Sequence, residues 1–303
     1  MSEHVPVMIA EVMEYLSTPG IVVDCTLGLG GYAGRILDEF NASLVYGVDQ
    51  DVEAVEEAKL NLCKYGDRFT PLWGNFRDLE RLLTPYGIGK IDAFIFDLGV
   101  SNMQLSAAER GFAFQAEGPL DMRMDVNSGE PASAIVNSLS AKELADIFRV
   151  YGEEKFAWRI ACGIEKARVK NRIETTEQLV ALIREILPAP VQRKMGGHPA
   201  RRVFQALRIY VNSELDALSE GLAACVKLGS RGTVVIVVDY HSLEDRIVKH
   251  TFLKWKNEGL GELLTKHPVT PSDEEVASNY KSRSAKLRAF RFKGSDKGSD
   301  SVG

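Results

Sequence analysis

Short apolar segments alternate with segments of helical periodicity through the first hundred residues. The apolar runs cover residues 21–25, 44–48, 69–73 and 93–96, and helical spacing is clearest at residues 32–40 and 51–64. Strands that are apolar almost throughout are typical of a parallel sheet covered by helices on both faces. The crossovers of such a sheet are right-handed. The sequence therefore predicts an open α/β sheet at the start of the chain.

The alternation stops after the fourth apolar run. Residues 102–124 are rich in glycine, methionine and polar side chains, which is typical of a long loop. Helical periodicity then recurs without an intervening strand at residues 141–167, 176–187 and 203–228. This pattern predicts that an all-helical insertion interrupts the sheet after its fourth strand.

Strand signals return near the end of the chain, at residues 233–240 and 283–292. The segment between them, residues 269–279, contains proline and serine and predicts an extended connector. We therefore predict a sheet domain in two parts, with the insertion between them and a low-complexity tail at the end. The predicted bounds are residues 1–105 and 200–293 for the sheet domain, 106–199 for the helical insertion, and 294–303 for a disordered tail.

Length and composition limit the class of protein. The chain has 303 residues, of which 45% are hydrophobic and 26% charged, and these values exclude a disordered or collagen-like chain. The formal net charge of −5 argues against a protein that coats nucleic acid over its whole surface. The cysteines form no C-x-x-C pair, no cluster has zinc-ligand spacing, and the longest aliphatic run covers only residues 234–238. The N-terminus lacks a signal-peptide pattern, so we expect a cytoplasmic protein without a membrane segment or a metal site.

A glycine-rich turn follows the first predicted strand. Asp24 stands in that strand, Gly28, Gly30 and Gly31 follow it, and a helical segment begins immediately afterwards. Glycines allow a sharp turn and let a ligand approach the main chain closely. Asp49 ends the second strand nineteen residues after Gly30, a spacing typical of an acid that binds a ribose hydroxyl pair. The combination favours a nucleoside-containing cofactor over a plain turn with solvated acids.

Two cofactor classes fit this turn. Its G-x-G-x-x-A spacing satisfies the dinucleotide fingerprint, so a nicotinamide-dependent oxidoreductase stays open. Asp24 and Asp97, in the first and fourth strands, and the polar cluster at residues 74–76 favour S-adenosyl-L-methionine instead. A sulfonium compound without phosphates is attracted to nearby carboxylates, whereas a pyrophosphate is repelled by them. The residues favour the methyl donor without excluding the dinucleotide.

Long strings throughout the chain resemble a known family. They stand at residues 24–31 (DCTLGLGG), 96–101 (FDLGVS), 118–125 (GPLDMRMD), 204–209 (FQALRI), 241–249 (HSLEDRIVK) and 283–288 (RSAKLR). Together with His4, Pro6 and Val7 they closely resemble the MraW (RsmH) family of small-subunit ribosomal RNA cytosine-N4 methyltransferases. The resemblance extends from residue 4 to about residue 291.

The resemblance implies a class I methyltransferase fold, a sheet of the Rossmann-like kind with an all-helical insertion domain after strand four. It implies methylation of the exocyclic N4 amine of a cytosine in the decoding centre of 16S rRNA. The expected cofactor is S-adenosyl-L-methionine, and the expected partner is small-subunit rRNA within an assembled or nearly assembled subunit. The cofactor contacts that carry over are Gly30, Gly31, Tyr32, Asp49, Phe76, Asp97 and Gln104, to which the glycine turn itself adds Asp24 and Gly28.

The chain departs from the family pattern at several positions. Tyr32 stands where histidine is usual, so only a main-chain contact carries over there. Asp239 and Tyr240 replace a Ser-Phe pair. The further departures are Asn102, residues 229–232 and residues 279–281.

Asp97, Ser101 and His241 are the catalytic candidates. A cytosine amine is a poor nucleophile because its lone pair is conjugated with the ring, and an acceptor for one of its N–H groups would help to localise that lone pair. Asp97 and Ser101 follow the fourth strand and His241 follows the next one, so all three are expected near the methyl group. Asp97 can equally well orient the cofactor, and His241 can stand at the start of a helix. These alternatives stay open.

Basic side chains concentrate in two acid-free stretches. These are Arg193, Lys194, Arg201 and Arg202 in the helical part, and Lys281, Arg283, Lys286 and Arg288 near the C-terminus. Such stretches favour phosphate contacts over a merely solvated face. A non-catalytic ribosome-assembly factor that retains the cofactor pocket is the alternative function from a different class.

Overall fold

The computed structural model describes residues 6–293, and the chain forms two compact units. The first unit comprises the described residues up to Gly99 together with those from Leu215 onward, and the second comprises Val100–Glu214. The tail predicted at residues 294–303 lies outside the described residues, as does His4 of the family-like strings.

The first unit contains a seven-stranded sheet within the described part of the chain. The sheet has the spatial order β3-β2-β1-β4-β5-β7-β6, in which the first five strands pair in parallel and β7 runs antiparallel to both of its neighbours. The strands are β1 (Ile21–Asp24), β2 (Leu44–Asp49), β3 (Phe69–Trp73), β4 (Ile91–Asp97), β5 (Gly229–Asp239), β6 (Gly261–Leu263) and β7 (Lys286–Phe292). The predicted α/β sheet is confirmed. Its order reverses between β1 and β4, where open α/β sheets form a ligand crevice.

Helices precede, connect and follow these strands. They are α1 (Ile9–Glu14), α2 (Gly31–Glu39), α3 (Val52–Leu62), α4 (Leu79–Leu83), α5 (Asn102–Ser106), α6 (Ala132–Ser138), α7 (Ala141–Gly152), α8 (Ala157–Arg168), α9 (Thr176–Ile186), α10 (Ala189–Lys194), α11 (Arg201–Asn212), α12 (Glu214–Leu228), α13 (Ser242–Asn257) and α14 (Asp273–Ser278). Among residues 6–293, no helix combines the length and the apolar character that a membrane crossing requires.

Helices cover both faces of the sheet. Successive side chains of a strand point to opposite faces, and β4 illustrates the result. Ala93 and Ile95 pack with residues of α2 and α3, whereas Phe94 and Phe96 pack on the opposite face with residues of α12 and α13. The central strands are therefore buried on both sides, which explains why their sequences are apolar almost throughout.

The second unit has a separate core made by its own helices. Leu144 and Phe148 of α7, Ile160 of α8 and Leu207 of α11 are fully buried in that core. Because α11 packs closely on α7, this unit ends at Glu214, fifteen residues beyond the predicted end of the insertion. The sequence prediction separated α11 from the helices that cover its apolar face, since helical periodicity does not show which neighbour a helix packs against.

Residues with left-handed backbone divide two of the stretches with predicted helical periodicity. The stretch at residues 141–167 contains two helices, α7 and α8, because Glu153 after α7 has a φ of 47°. The stretch at residues 203–228 also contains two, α11 and α12, separated at Ser213 with a φ of 48°. A residue in this conformation ends a right-handed helix. Helical periodicity alone did not show these two interruptions.

Two segments predicted to be irregular contain short helices. The predicted loop at residues 102–124 includes α5, and the predicted connector at residues 269–279 includes α14, where Ser272 accepts a hydrogen bond from the Glu275 main chain. Side-chain caps of this kind satisfy free N–H groups at a helix start. Helices of five and six residues are too short to produce a periodic pattern, and their caps are the signal that could have revealed them.

Close packing between α7 and α11 makes Gly152 a sensitive position. A Cβ atom at Gly152 would lie 2.5 Å from the Arg202 carbonyl oxygen, which is backbone and cannot easily move. We expect Gly152→Ala to lower the free energy of unfolding by about 1–2 kcal/mol, because overpacking outweighs the better helix propensity of alanine. Urea unfolding followed by circular dichroism measures the change.

Gly196→Ala is the matched control for this substitution. A Cβ atom at Gly196 meets no atom within 4 Å, so its effect should stay within about 0.5 kcal/mol. Equal unfolding midpoints for the two variants would contradict the proposed packing constraint.

Candidate active site

Main-chain hydrogen bonds join the loop after β1 to the ends of both neighbouring strands. Gly28 N donates to Asp49 Oδ2 at 2.8 Å, which connects the loop to the end of β2. Asp97 N donates to Thr26 Oγ1 at 2.6 Å, which connects the loop to the end of β4. The carboxyl ends of β1, β2 and β4 therefore bring Asp24, Asp49 and Asp97 together around one glycine loop, as the sequence predicted.

The two glycines that precede α2 in this loop, Gly28 and Gly30, have different tasks. Gly30 has a φ of 85° and immediately precedes α2, and a Cβ atom there would lie 2.6 Å from Leu62 Cδ1. Gly28 has a φ of 51°, but a Cβ atom there would meet no atom closer than 4.0 Å. Gly30 therefore packs against α3, while Gly28 leaves open space above the loop where a ligand can approach the main chain.

Asp49 supports the loop and keeps acceptor capacity. Its two carboxylate oxygens accept hydrogen bonds from Gly28 N and from Asp51 N, the latter at 2.9 Å. Burial raises the pKa of Asp49 to about 6, although these backbone donors act in the opposite direction. Because a carboxylate oxygen can accept more than one hydrogen bond, Asp49 can hold the loop and still receive a ribose hydroxyl.

Asp24 lies beneath the loop with no exposed surface. Its Oδ1 accepts a hydrogen bond from Thr26 N at 3.2 Å, while Oδ2 has no hydrogen-bond partner among the described residues. Burial is the main cause that raises the pKa of Asp24 to about 7, and the charges of Asp97 and Asp49 raise it further. A buried acid with an unsatisfied oxygen is costly and is characteristic of functional sites. A direct cofactor contact by Asp24 stays a prediction.

Asp97 is held on one side only. Its Oδ1 accepts a hydrogen bond from the Tyr240 hydroxyl at 2.7 Å, and its Oδ2 has no hydrogen-bond partner within residues 6–293. Burial raises the pKa of Asp97 to about 7, the Tyr240 hydrogen bond lowers it, and the charges of Glu244 and Glu275 raise it. At neutral pH this carboxylate can accept a hydrogen bond or a proton. Sequence reasoning had noted Tyr240 as a departure from the family but had given it no task.

Tyr32 and Phe76 direct their side chains into the protein. The Tyr32 hydroxyl donates to the Val7 carbonyl oxygen, and only 4% of the residue is exposed. The Phe76 ring meets the Phe96 ring edge to face, with centroids 5.5 Å apart. A cofactor contact at Tyr32 would therefore come from its main chain in the first turn of α2, as the sequence suggested. The predicted contact at Phe76 remains untested.

Asn75, in the predicted polar cluster after β3, pairs with Gln50, a residue that sequence reasoning did not single out. Asn75 Nδ2 donates to Gln50 Oε1 at 2.7 Å, and Asn75 Oδ1 accepts from Arg77 N. Gln50 follows Asp49 directly. The pair therefore joins the ends of β2 and β3, and polar residues directly after two neighbouring parallel strands were the available signal.

Ser101 and Gln104 form the capping box of α5 in the second unit. Ser101 Oγ accepts from Gln104 N, and Gln104 Oε1 accepts from Ser101 N, both at 3.1 Å. The structure thus brings these two residues together and gives both a task in starting a helix. A catalytic role for Ser101 and a cofactor contact for Gln104 stay predictions.

His241 stands at the start of α13. Its Nδ1 accepts from Glu244 N at 3.4 Å, and Glu244 Oε2 accepts from the main chain of Tyr240 and His241 at 3.0 and 3.3 Å. His241 Nε2 lies 3.1 Å from Glu244 Oε1, although the geometry does not qualify as a hydrogen bond. The capping alternative considered from the sequence matches this position, and a catalytic role stays a prediction.

Comparison with known proteins assigns this arrangement to a family. The family model described as the MraW methylase family matches residues 1–293. The chain belongs to the MraW methylase family. The family resemblance read from the sequence is thereby confirmed, as are the class I methyltransferase fold and S-adenosyl-L-methionine as the cofactor. Membership of a methylase family also leaves the nicotinamide alternative without support.

Curated relatives match over nearly their whole length. The Ribosomal RNA small subunit methyltransferase H of Halothermothrix orenii is 43% identical, with 95% of this chain and 98% of the relative covered. The protein of the same name from Syntrophotalea carbinolica is 45% identical, with 95% and 98% covered. A solved structure described as an rRNA methylase from Streptococcus thermophilus has 11% identity, 94% and 93% coverage and a TM-score of 0.44, too low to add to the fold assignment.

The predicted RNA-binding residues of this MraW family member differ in availability. Arg193, Lys194, Arg201, Arg202, Lys281 and Arg283 are exposed. Arg202 Nη1 donates to the Glu153 carbonyl oxygen, and the Arg283 guanidinium lies 4.3 Å from the centroid of the Tyr280 ring. The exposed residues remain candidates for phosphate contacts.

The predicted RNA-binding set is corrected at Arg288, and Lys286 is less available for RNA contacts than expected. Arg288 is only 7% exposed, and its Nε lies 2.7 Å from Asp245 Oδ1. Lys286 Nζ lies 2.9 Å from Asp245 Oδ2. Both basic residues lie on β7 and pair with Asp245, a partly buried acid at the start of α13, so Arg288 has little surface left for a phosphate contact.

Asp239 is a buried acid that sequence reasoning did not place in the site. It has no exposed surface, and neither carboxylate oxygen has a hydrogen-bond partner among the described residues. Burial is the main cause that raises the pKa of Asp239 to about 8, assisted by the charges of Glu244 and Asp245 and opposed by Lys286 and Arg288. The ionised form of this residue therefore destabilises the folded state.

Replacement of Asp239 should show the destabilising effect of its ionised carboxyl group as a pH-dependent difference in the free energy of unfolding. Because its folded-state pKa lies above the unfolded value, the folded protein binds this proton more tightly. Its contribution to stability is full below about pH 4 and is lost as the pH rises through about 8. We expect the stability of Asp239→Asn relative to wild type to increase from pH 5 to pH 9 by roughly 4 kcal/mol.

Urea unfolding at pH 5 and pH 9 measures the effect. Asp67→Asn, at an exposed position on the same unit, should change stability by less than about 0.5 kcal/mol at either pH. A difference between Asp239→Asn and wild type that is the same at both pH values would show that the carboxyl group does not carry this cost.

Proposed function

We propose that this protein transfers the methyl group of S-adenosyl-L-methionine to the exocyclic N4 amine of a cytosine in the decoding centre of small-subunit rRNA. The observation that supports the transfer most directly is Asp97, which has one oxygen held by Tyr240 and the other open. The names of the curated relatives support small-subunit rRNA as the substrate. The cytosine N4 position and the decoding centre rest on the resemblance of the strings around Asp97 and His241.

The residues around the glycine loop suit S-adenosyl-L-methionine. The open space above Gly28 admits a ligand close to the main chain. Asp24, Asp49 and Asp97 are carboxyl groups, and their charge attracts a sulfonium cation and repels a pyrophosphate. Asp49 can receive the ribose hydroxyls, because its oxygens keep spare acceptor capacity.

Asp97 would act on the amine that receives the methyl group. When bound, the cofactor supplies a methyl group whose bond to sulfur breaks as the bond to the amine nitrogen forms, which leaves S-adenosyl-L-homocysteine. Asp97 Oδ2 accepts a hydrogen bond from one N–H of the amine and orients its lone pair towards the methyl carbon. The nitrogen then loses one proton, and Asp97, with a pKa of about 7, is suited to accept it.

RNA binding would use the exposed basic residues. A cytosine within structured RNA must leave its stack before its amine can reach an enzyme site. Lys281 and Arg283 supply positive charge beside Tyr280, an exposed residue whose ring already carries the Arg283 guanidinium and could stack on a base. Arg193, Lys194, Arg201 and Arg202 supply a second set on the helical unit.

Asp97→Asn tests the catalytic proposal. The substitution keeps the shape of the side chain and removes its charge, so we expect methyl transfer to fall by about 10²–10³-fold. The assay uses S-adenosyl-L-methionine with a tritiated methyl group and small subunits from a strain that lacks the gene. Mapping of the modified nucleosides identifies the methylated position, and circular dichroism confirms that the variant is folded.

The outcomes of this assay separate the competing functions. Asp67→Asn should transfer methyl groups at the wild-type rate. Wild-type transfer by Asp97→Asn would exclude Asp97 as the acceptor. Wild-type protein that binds S-adenosyl-L-homocysteine but never methylates subunits, with the N4 mark undiminished in the deletion strain, would instead support a non-catalytic assembly factor. A methyl group on another nucleotide would correct the proposed substrate position.

The double variant Lys281→Ala/Arg283→Ala tests the RNA contacts. Each lost phosphate contact reduces the slope of log affinity against log salt by about 0.7–0.9, and the total loss of affinity is largest at low salt. We expect weaker binding to small-subunit rRNA with a slope smaller by about 1.5. Filter binding at several salt concentrations measures it, and Lys254→Ala on α13 is the control, since Lys254 is equally exposed. An unchanged slope in the double variant would remove these residues from the interface.

A further inference from the structure

We infer that Tyr240 is a positioning residue for Asp97, whose hydroxyl holds one carboxylate oxygen so that the other is presented as the acceptor for the reacting amine. The inference rests on the proposed function and adds to it a residue that sets the pH range of the reaction.

The sheet places the Tyr240 hydroxyl beside Asp97. β4 and β5 are parallel neighbours in which Asp97 is paired with Val238. Tyr240 follows β5 directly, and its hydroxyl reaches Asp97 Oδ1 at 2.7 Å. The Tyr240 ring lies close to Gly99, where an added Cβ atom would be 3.8 Å from ring atom Cδ2. The ring therefore lies along the chain segment that leads out of β4.

The main chain on both sides of this contact is fixed. Tyr240 N donates to Glu244 Oε2 at 3.0 Å, within the capping arrangement of α13. Asp97 N donates to Thr26 Oγ1, and the next residue, Leu98, donates through its main chain to the Val238 carbonyl oxygen at 2.9 Å. With both backbones held, the hydroxyl contact fixes the rotation of the Asp97 carboxyl group. Oδ2 is then the oxygen left for a ligand.

The surroundings of Asp97 otherwise favour its protonated form. The titratable groups that act on it come from each element around it: Asp24 of β1, Tyr32 of α2, Glu244 of α13 and Glu275 of α14. None of these is basic. The Tyr240 hydroxyl donates to the carboxylate and so favours the ionised form, against burial and the charges of Glu244 and Glu275.

The contact with Asp97 also helps to keep the Tyr240 hydroxyl protonated, so that it remains a hydrogen-bond donor. Burial and the neighbouring Asp97 raise the pKa of the Tyr240 hydroxyl far above its ordinary value. The hydroxyl therefore keeps its proton throughout the neutral range and remains a donor wherever Asp97 is ionised. A side chain without the hydroxyl would leave Asp97 more easily protonated and less able to accept from the amine.

Tyr240→Phe removes this one hydrogen bond. Because the substitution keeps the ring and removes only the hydroxyl, the variant is expected to fold and to retain activity at high pH. The single-turnover rate of methyl transfer is measured from pH 5.5 to pH 9. We expect the acid limb of the profile, near pH 7 in the wild type, to move upward by about one pH unit in the variant. The rate at pH 6 then falls about tenfold, while the rate at pH 9 changes little.

A matched control separates positioning from a general effect of a lost hydroxyl. The Tyr65 hydroxyl donates to the Gly34 carbonyl oxygen at 3.2 Å and contacts no acid of the site. Tyr65→Phe should leave the acid limb in place. A Tyr240→Phe profile that is unchanged, or that is lowered by the same factor at every pH, would overturn the inference, since a merely structural tyrosine would give one of these results.

A second measurement does not depend on the substrate. The Asp97 carboxyl carbon is followed by NMR in protein with ¹³C-labelled aspartate, and Asp97→Asn identifies its signal. We expect its titration midpoint to rise by about one pH unit in Tyr240→Phe. If the wild type shows no methyl transfer but the midpoint rises, the proposed function fails while the Tyr240–Asp97 coupling stands. If transfer is normal and the midpoint does not move, the coupling fails alone.

Discussion

The hydrogen bonds between the loop after β1 and the ends of its two neighbouring strands determine the rest of the candidate site. The hydrogen bond from Gly28 N to Asp49 Oδ2 holds one side of the loop, and the hydrogen bond from Asp97 N to Thr26 Oγ1 holds the other side. These bonds lie at the reversal of strand order, where no strand crossover blocks the sheet edge. The loop is thus fixed on both sides, and a Cβ atom at Gly28 would meet no atom closer than 4.0 Å.

The carboxyl ends of three strands carry acids that destabilise the folded state. Asp24, Asp97 and Asp239 are raised to pKa values of about 7, 7 and 8, in each case mainly by burial. Such groups are expected where selection for chemistry outweighs stability. Asp97 has a use in the proposed methyl transfer. For Asp239 the structure shows only partial compensation by Lys286 and Arg288, whose paired partner is Asp245.

Positive charge on this chain has two different uses, and the sequence could not distinguish them. Lys281 and Arg283 are exposed, whereas Arg288 is buried and paired, although all three lie in one acid-free stretch. The stretch lacks acids in sequence, but β7 lies beside the start of α13, which supplies Asp245. The local charge pattern therefore predicted one RNA-binding stretch, whereas the fold exposes Lys281 and Arg283 and buries Arg288.

The sequence by itself determined six of the seven strands in the described residues, the acids at three strand ends, and the family, because apolar runs and long specific strings are local features. It located Asp24, Asp49 and Asp97 correctly at one sheet edge, since parallel strands share their carboxyl ends. Only the tertiary structure decided where α7 and α11 end, and that Arg288 is buried. It alone revealed that Tyr240 donates to Asp97, 143 residues away in sequence. That contact depends on the pairing of β4 with β5, two strands that are separated in the sequence by the whole helical unit. No local sequence pattern encodes such a contact.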